Sequence, residues 1–437
     1  MAASADQRPL RILQVIAGAA VGGAETFAQD AIVALHGRGV VQQVLTRPHP
    51  AVLRRYAQAG VAAEGMGFSV IDRALGRGRR IRSAALDLGA DLVHAWMSRA
   101  NAFIPADMPC PVIGWFGDYY DLKYFRRADF WFCVTPDIAR YVIGKGARPH
   151  RVFTVNTFGT MPDSQPVPRE SLDTPADATV LLVLSRMHTV KGIDTMLRAL
   201  VLLPGVVLWL AGDGPEMANY QALAGELGLR DRVRFLGWRG DRKSLLEACD
   251  ICVLPSRYEP FGTVIVEAWA MRRPLVATSA DGARQYVTDG RTGLLCPIED
   301  PPALAGQIRR LIDDPGLRRA IAEAGHAAYL ADFTRDIVTE RLLEAYATCV
   351  RLGKLGNDRT VRRPAAADAA EAVRLAYAPF GPAMAAEAAG LQAGGRCSLL
   401  LPGGRVLLLD SAQLDRACGF FRESGGLEPA DEGLRGI

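Results

Sequence analysis

The chain has 437 residues, 49% hydrophobic and 22% charged, with 51 Lys and Arg against 47 Asp and Glu and a net charge of +4. That length accommodates two α/β domains and a small addition, while the nearly balanced charge, with no recognised binding motif, argues against a nucleic-acid partner. No apolar run is long enough to span a membrane; Val201 to Leu210, the longest suspect, is broken by Pro204 and Gly205.

Arg11 to Ile16 reads as a first strand. The run Ile12 to Ala20 carries Gln14, is short and leads directly into a glycine-rich loop, so a strand is the better reading than a secretory signal core. A helical pattern follows from Ala24 to His36, then strands at Val41 to Thr46, Asp91 to Trp96, Pro111 to Phe116 and Phe130 to Thr135. This alternation predicts a parallel sheet with helices on both faces, over residues 8–160. Met161 to Asp177, rich in Pro, Ser and Asp and without periodicity, is expected to be an interdomain linker over 161–177.

A second strand–helix series occupies 178–352. Its predicted strands are Val180 to Leu184, Val206 to Ala211, Val233 to Leu236, Ile251 to Leu254 and Leu275 to Thr278, and Arg335 to Val350 is an amphipathic helix at its end. Residues 355–437 form an appended tail of unassigned role. It contains a polar basic stretch at Asn357 to Pro364, Ala-rich helical stretches, a hairpin pattern around Pro402-Gly-Gly and a helix expected from Ser411. A small added subdomain is the expectation, with a partly disordered tail as the alternative.

Eight cysteines show no paired framework, and Cys249-Asp-Ile-Cys252 is a lone C-x-x-C at the start of an apolar strand. Small buried residues in a reducing cytoplasm fit better than a redox or metal site. Charge is unevenly placed: residues 1–165 carry 19 Lys and Arg against 13 Asp and Glu, with Arg77, Arg79, Arg80 and Arg82 close together. A solvated surface and attraction to an anionic membrane face or phosphorylated lipid acceptor both account for that excess.

The chemistry concentrates in Glu259-Pro-Phe-Gly-Thr-Val-Ile-Val-Glu267. Pro260 pushes Glu259 toward an extended conformation. The run Thr263 to Met271 then reads as a helix closed by Arg272-Arg273-Pro274, with Glu267 inside it. Free backbone N–H groups from Phe261 to Val264 make a helix N-terminus suited to a diphosphate. An ionised carboxylate offers two acceptor oxygens to a vicinal diol. A nucleotide-sugar has both features.

The Glu-x7-Glu spacing with Phe261-Gly262 resembles the donor-binding signature of retaining GT-B glycosyltransferases of family 4, the group 1 transferases. Gly22-Gly23-Ala24-Glu25, Ser185-Arg186 with Lys191-Gly192, Ala211-Gly-Asp-Gly-Pro215, Val233-Arg-Phe-Leu-Gly237 and Asp289-Gly290…Thr292-Gly-Leu-Leu295 resemble further segments in the same order, over roughly residues 10–350. The resemblance implies two Rossmann-like domains facing across a cleft, the first binding acceptor and the second donor, and a last helix returning to the first domain. It implies a cytoplasmic enzyme with room for peripheral contact at the inner face of the plasma membrane. Its reaction would be retaining and metal-independent, moving a sugar from a UDP-, GDP- or ADP-sugar to a glycan or glycolipid of the cell surface, such as lipopolysaccharide.

By the same resemblance, Arg186, Lys191 and Glu259 are the catalytic candidates, the two cations neutralising the departing diphosphate. Gly22, Gly23, Phe261, Gly262, Thr263 and Glu267 would contact the donor, Glu267 through the ribose hydroxyls. No metal or cofactor is expected, since no Asp-x-Asp motif stands where a metal-dependent transferase needs one. His94, at a strand read as ending toward the ligand crevice, is either an acceptor contact or a packed structural residue. Asp118, Tyr119 and Tyr120, with Tyr124 and Lys123 nearby, are acceptor candidates, because aromatic faces with polar tips suit sugars. The chain departs from the family twice: Gly117 stands where many members have a histidine, so that either Asp118 supplies a polar contact or the donor sugar differs, and Gln285 replaces a glutamate. A nucleotide-sugar epimerase or hydrolase of the same fold, and a catalytically degenerate nucleotide-sugar-binding protein, are the alternatives.

Overall fold

The computed structural model describes residues 8–355, apart from positions 21, 70, 73–75, 77, 160, 162 and 163, together with the strands 396–401 and 405–410. The described chain forms two compact units, one reaching to Asn156 and resuming at Val338, the other spanning Thr157–Ile337.

The first unit holds seven strands: β1 (Arg11–Ile16), β2 (Val41–Thr46), β3 (Ala62–Gly65), β4 (Leu92–Trp96), β5 (Val112–Phe116), β6 (Phe130–Cys133) and β7 (Val152–Thr154). They are parallel throughout, in the order β3-β2-β1-β4-β5-β6-β7. Chain order reverses at β1, so the loops after β1 and β4 diverge and leave a crevice at their carboxyl ends. Every residue of β4, β5 and β6 is buried, as expected of a parallel sheet covered on both faces. The predicted strand Phe130 to Thr135 stops at Cys133 because Thr135 caps the next helix, its hydroxyl accepting from Ile138 N at 3.2 Å ahead of Pro136.

Polar residues inside this sheet are tied to one another. Trp96 Nε1 donates to Gln14 Oε1 at 2.9 Å, Gln14 Nε2 to Gln42 Oε1 at 2.8 Å, and Gln42 Nε2 to the Ile32 carbonyl at 2.8 Å. His94 lies in the middle of β4, wholly buried, stacked on Trp96 with centroids 4.1 Å apart. Its Nδ1 is 2.7 Å from the Tyr346 hydroxyl. A side chain with no exposed surface cannot meet an acceptor, so the acceptor expectation for His94 is corrected to the packing one. Tyr346 belongs to the helix Arg335–Leu352, which therefore completes the core of the first unit. Beyond that helix, Arg151 donates to the Gly353 carbonyl at 2.9 Å and Leu355 N to Asp129 Oδ1 at 2.6 Å.

The second unit holds β8 (Thr179–Leu184), β9 (Val206–Ala211), β10 (Val233–Gly237), β11 (Ile251–Leu254), β12 (Leu275–Thr278) and β13 (Leu294–Cys296), again parallel, in the order β10-β9-β8-β11-β12-β13. Leu181, Val183, Leu208, Leu210, Ile251 and Val253 project from the sheet into one cluster with Ile193, Leu197 and Leu200 of the helix Ile193–Val201. Each such side chain contributes about 1.5–3 kcal/mol by leaving water. The reversal here falls between β8 and β11.

The expected linker at 161–177 is corrected in part: its described residues from 164 onward pack on the second unit. Arg169 donates to the Ala248 carbonyl at 2.8 Å and to both Asp250 oxygens at 3.1 Å, and Trp209 Nε1 donates to Thr174 Oγ1 at 2.9 Å. Low periodicity reads as a linker, but one half-buried arginine fork suffices to fix such a segment. In the tail, β14 (Arg396–Leu401) and β15 (Arg405–Asp410) pair antiparallel, the hairpin read from the sequence. The Ala-rich stretches and the helix expected from Ser411 lie outside the described residues.

The His94 contact predicts an acid-sensitive core. Burial holds the His94 ring down to about 3, whereas a histidine in the unfolded chain takes up a proton near pH ~6.5. Between those values only the unfolded chain binds the proton, so stability is full above the upper value and falls as pH drops toward the lower one. On going from pH about 7.5 to about 5, wild type should lose roughly 2 kcal/mol more than a His94→Gln variant in urea unfolding. Equal losses would show that the ring is not held neutral.

Candidate functional site

Two loops meet at the reversal point of the second sheet. The first follows β8 and runs from Ser185 to Gly192; the second follows β11 and runs from Pro255 to Gly262. Gly192 lets them touch. It caps the helix Ile193–Val201 in a left-handed conformation, φ 64° and ψ 27°, and a Cβ there would lie 2.0 Å from the Pro255 carbonyl oxygen. Backbone bonds complete the junction, with Arg257 N and Tyr258 N donating to the Val190 carbonyl at 2.9 and 3.2 Å. Arg257 adds a bidentate pair with Asp194 at 2.8 and 2.6 Å and a bond to the Thr189 carbonyl at 2.7 Å.

This junction brings two predicted residues together. Lys191 Nζ lies 2.7 Å from Glu259 Oε2, the side chains 19% and 16% exposed. Ser256 Oγ stands 3.4 Å from the same oxygen. An ammonium has three donors, so Lys191 retains two for a ligand while bound to Glu259. Arg186 stands on the same turn, exposed, and pairs with no carboxylate among the described residues.

Beyond Glu259, Gly262 at φ 86° caps the helix Thr263–Ala270, leaving the N–H groups at its start free of intrahelical partners. Phe261 is buried, its ring 5.3 Å from that of Tyr286. Its side chain is core, and only its backbone is left for a ligand. The start of the helix Asp281–Tyr286 supports this loop from behind: Gly282 N donates to the Glu259 carbonyl at 2.7 Å, and a Cβ on Gly282 would lie 2.1 Å from the Phe261 carbonyl oxygen. Gln285 donates to the Asp281 carbonyl at 2.8 Å within the helix Asp281–Tyr286.

Glu267 sits on the second turn of the helix Thr263–Ala270 with its side chain fully buried. Its Oε1 accepts from Arg242 Nη1 at 2.5 Å, while Oε2 has no hydrogen-bond partner. Burial raises its carboxyl above the usual range, and Arg242 opposes that shift. Gly159 covers it, since a Cβ there would lie 3.0 Å from Glu267 Cγ. Arg242 was missed by sequence reading: it opens a seven-residue helix, Arg242–Ala248, in no recognisable motif.

The remaining candidates lie in the first unit. Gly22 precedes the helix Gly23–Gly37 with an extended backbone, and the Glu25 carboxylate fills the space where its Cβ would be, 2.2 Å away. Ala19 N donates to Glu25 Oε1 at 3.2 Å, so the loop folds around that carboxylate. Gly117, at the end of β5, is closely bounded: a Cβ there would lie 3.3 Å from Trp115 Nε1 and 3.8 Å from the Ala24 Cβ. A side chain there would point at the start of the Gly23–Gly37 helix. Asp118 Oδ1 accepts from Tyr119 N at 2.7 Å, and the Tyr119 ring meets that of Tyr141 edge-on at 5.4 Å. Tyr120 packs on Phe125 with centroids 6.1 Å apart, and burial raises its phenol. Among the described residues no three His, Cys, Asp or Glu side chains are grouped as a metal site requires, and Cys249 and Cys252 are buried. No described helix is long and apolar enough to cross a membrane.

Comparison with known proteins shows what the chain is similar to. The family model for glycosyl transferases group 1 matches residues 164–328. The lipopolysaccharide core biosynthesis glycosyltransferase LpsE of Rhizobium meliloti (strain 1021) is 36% identical over 329 residues, 75% of this chain and 96% of its own length. LpsD of the same strain is 34% identical over 327 residues, 74% of this chain and 95% of its own. Among solved structures, Anabaena Alr3699/HepE in complex with UDP superposes with a TM-score of 0.69 at 23% identity, covering 78% of this chain and 100% of its own. The same protein has also been solved with UDP-glucose.

The Arg242–Glu267 pair yields a prediction. Removing Arg242 leaves a buried carboxylate uncompensated, a change that costs about 3–5 kcal/mol when both groups are buried. Because Arg242 is 35% exposed, Arg242→Met should cost less than that range, about 2–3 kcal/mol in urea unfolding. Arg242→Lys should recover most of it. A loss below about 0.5 kcal/mol in the Met variant would mean Glu267 is already neutral or otherwise satisfied.

Proposed function

Because the chain belongs to the group 1 glycosyltransferases, we propose that it moves a sugar from a UDP-sugar to a hydroxyl of a glycan or glycolipid acceptor in lipopolysaccharide core synthesis. The observation that carries this reading is the junction of the two loops at the reversal point of the second sheet, with Lys191 on Glu259 and a free helix N-terminus beside them. The UDP and UDP-glucose complexes of the Anabaena relative support uracil as the base. The two Rhizobium relatives support a core-oligosaccharide acceptor.

The reaction is read as retaining and without a metal. The acceptor hydroxyl oxygen bonds to the anomeric carbon on the face that the diphosphate leaves. The bond from that carbon to the phosphate oxygen breaks, its electron pair departing with the nucleoside diphosphate. The hydroxyl proton passes to a phosphate oxygen. Negative charge therefore grows on the leaving group, and Arg186, the two remaining Lys191 donors and the N–H groups at Thr263 and Val264 are the groups suited to meet it. Glu259 orients Lys191 and receives hydroxyls of the donor sugar. Glu267 Oε2 is an acceptor that ribose hydroxyls satisfy once the segment over it moves aside, and Gly22 and Gly23 let backbone approach the donor. The first unit supplies the acceptor site, through Asp118, Tyr119 and Tyr120.

Arg186→Ala and Glu259→Ala should each lower kcat by about 100-fold or more, the scale of losing one preorganised electrostatic stabiliser. Full activity in either variant would remove that residue's role. Nucleotide release from UDP-, GDP- and ADP-sugars, with and without a membrane extract as acceptor source, tests the reaction itself. Release that needs acceptor and prefers UDP supports transfer. Release without acceptor would favour a hydrolase or epimerase, and no release with retained nucleotide binding would favour a binding protein.

A further inference from the structure

A second concave site lies wholly within the first unit. It encloses about 510 Å³ beside the carboxyl ends of β4 and β5, between the segment Asn101–Ala106 and the turn Lys123–Arg127, with Arg79 on a third side. That volume falls in the range of about 300–1,000 Å³ usual for small-ligand pockets. Its walls are fixed from below at Gly114 of β5, where a Cβ would lie 2.6 Å from the Phe125 ring and 2.9 Å from Asn101 Oδ1. Phe125 stacks on Phe116 at 3.9 Å, and Asn101 Nδ2 donates to the Ala95 and Met97 carbonyls at 2.7 and 2.9 Å. Neither wall is a freely moving loop.

The lining is one-sided in charge. Arg79, Lys123, Arg126 and Arg127 line it, and no acidic side chain does among the described residues. Lys123 pairs with Asp121 at 2.8 Å and lies 5.1 Å over the ring of Tyr124, itself 43% exposed. Arg79, Arg126 and Arg127 are exposed and make no ion pair among the described residues. This differs from the rest of the same basic region, where Arg80 is held by Glu64 and Arg82 pairs with Asp107 at 2.8 Å. Phe103 and Ile104 give the cavity an apolar wall. Three uncompensated guanidinium groups around an aromatic face and an apolar wall suit a sugar ring that carries a carboxylate or phosphate.

We infer that this cavity binds an acidic sugar, carboxylated or phosphorylated, of the acceptor glycan; the assignment to acceptor rests on the transferase reading above, the ligand chemistry on the cavity alone. The basic excess of the first 165 residues thereby acquires a local purpose: it selects an anionic glycan and holds it on the side of the sheet where the β4 and β5 loops emerge.

The test uses the full chain and intrinsic fluorescence titration with trigalacturonic acid, glucose 6-phosphate and the neutral control maltotriose. Wild type should bind one or both acidic probes, more weakly as salt is raised, and maltotriose at least about tenfold less tightly. Arg126→Gln/Arg127→Gln should weaken the acidic probe by at least about tenfold, the effect of losing charge-assisted hydrogen bonds. Urea unfolding shows whether the double variant is folded, and either single variant replaces it if it is not. Equal binding of neutral and acidic probes, or undiminished binding in the variants, overturns the inference. So does a variant that loses binding to phosphatidylglycerol vesicles while keeping the acidic sugars, since the cations would then serve a membrane. UDP-glucose binding to wild type is measured alongside. If it fails while the acidic probes bind, the donor reading falls and the cavity's chemistry stands; the opposite result sinks the cavity alone.

Discussion

The contact between Gly192 and the Pro255 carbonyl is the constraint on which the second unit's site depends. Parallel strands that wind in opposite directions from β8 and β11 leave their two loops to diverge. The site exists because the loops are pulled back together, and only a residue without a Cβ in a left-handed conformation allows that approach. Lys191 and Glu259 are adjacent in space as a result, although 68 positions separate them in the chain. The Arg257–Asp194 fork and the bonds to the Val190 carbonyl hold the same junction from its outer side. Side chains that would face a diphosphate are therefore positioned by backbone contacts, with little left to side-chain freedom.

Much of this was readable from the chain. Alternating apolar runs and glycine-rich turns located nearly all the long strands, and Pro260 with the run from Thr263 placed Glu259 in a loop and Glu267 in a helix, as the structure has them. Short edge elements were not readable: β3 is Ala62–Gly65, with neither apolar alternation nor β-branched residues, and β7 has only three residues. The segment before β8 looked like a tether because its composition is that of loops. Its attachment depends on Arg169 and Thr174, whose partners are about 35 to 80 positions away. The ion pair of Glu267 was hidden for the same reason. Arg242 belongs to no motif, and only the folded chain brings its helix, between β10 and β11, to that of Glu267, between β11 and β12.

His94 shows the other way in which a sequence misleads. A histidine on a parallel strand that leads to the crevice has the address of a functional group, yet its neighbours Trp96, Trp115, Phe132 and Tyr346 surround it with rings. What decided the matter was the helix Arg335–Leu352, which carries Tyr346 into this core from a position some 250 residues later. That helix is the reason the first unit is discontinuous in sequence. A polar residue in a strand core is tolerated here because the chain supplies its partners, Gln14 with Gln42 and Trp96, and His94 with Tyr346.

The two units thus treat charge in opposite ways, and that contrast follows from what each exposes. In the second unit the cations around the site are mostly engaged: Lys191 with Glu259, Arg242 with Glu267 and Arg257 with Asp194, leaving Arg186 as the exposed exception. Such pairs fix geometry more than they add attraction, because each cation is already partly neutralised. In the first unit three of the four cations at the cavity, Arg79, Arg126 and Arg127, have no counter-ion among the described residues, which raises the local potential at a concave surface and favours any anionic group that enters. On the proposed function, an enzyme that holds a diphosphate in one orientation yet admits a large glycan is served by both arrangements. Pre-paired cations give precision where a bond is broken. Unpaired ones give capture where a long partner has only to be retained.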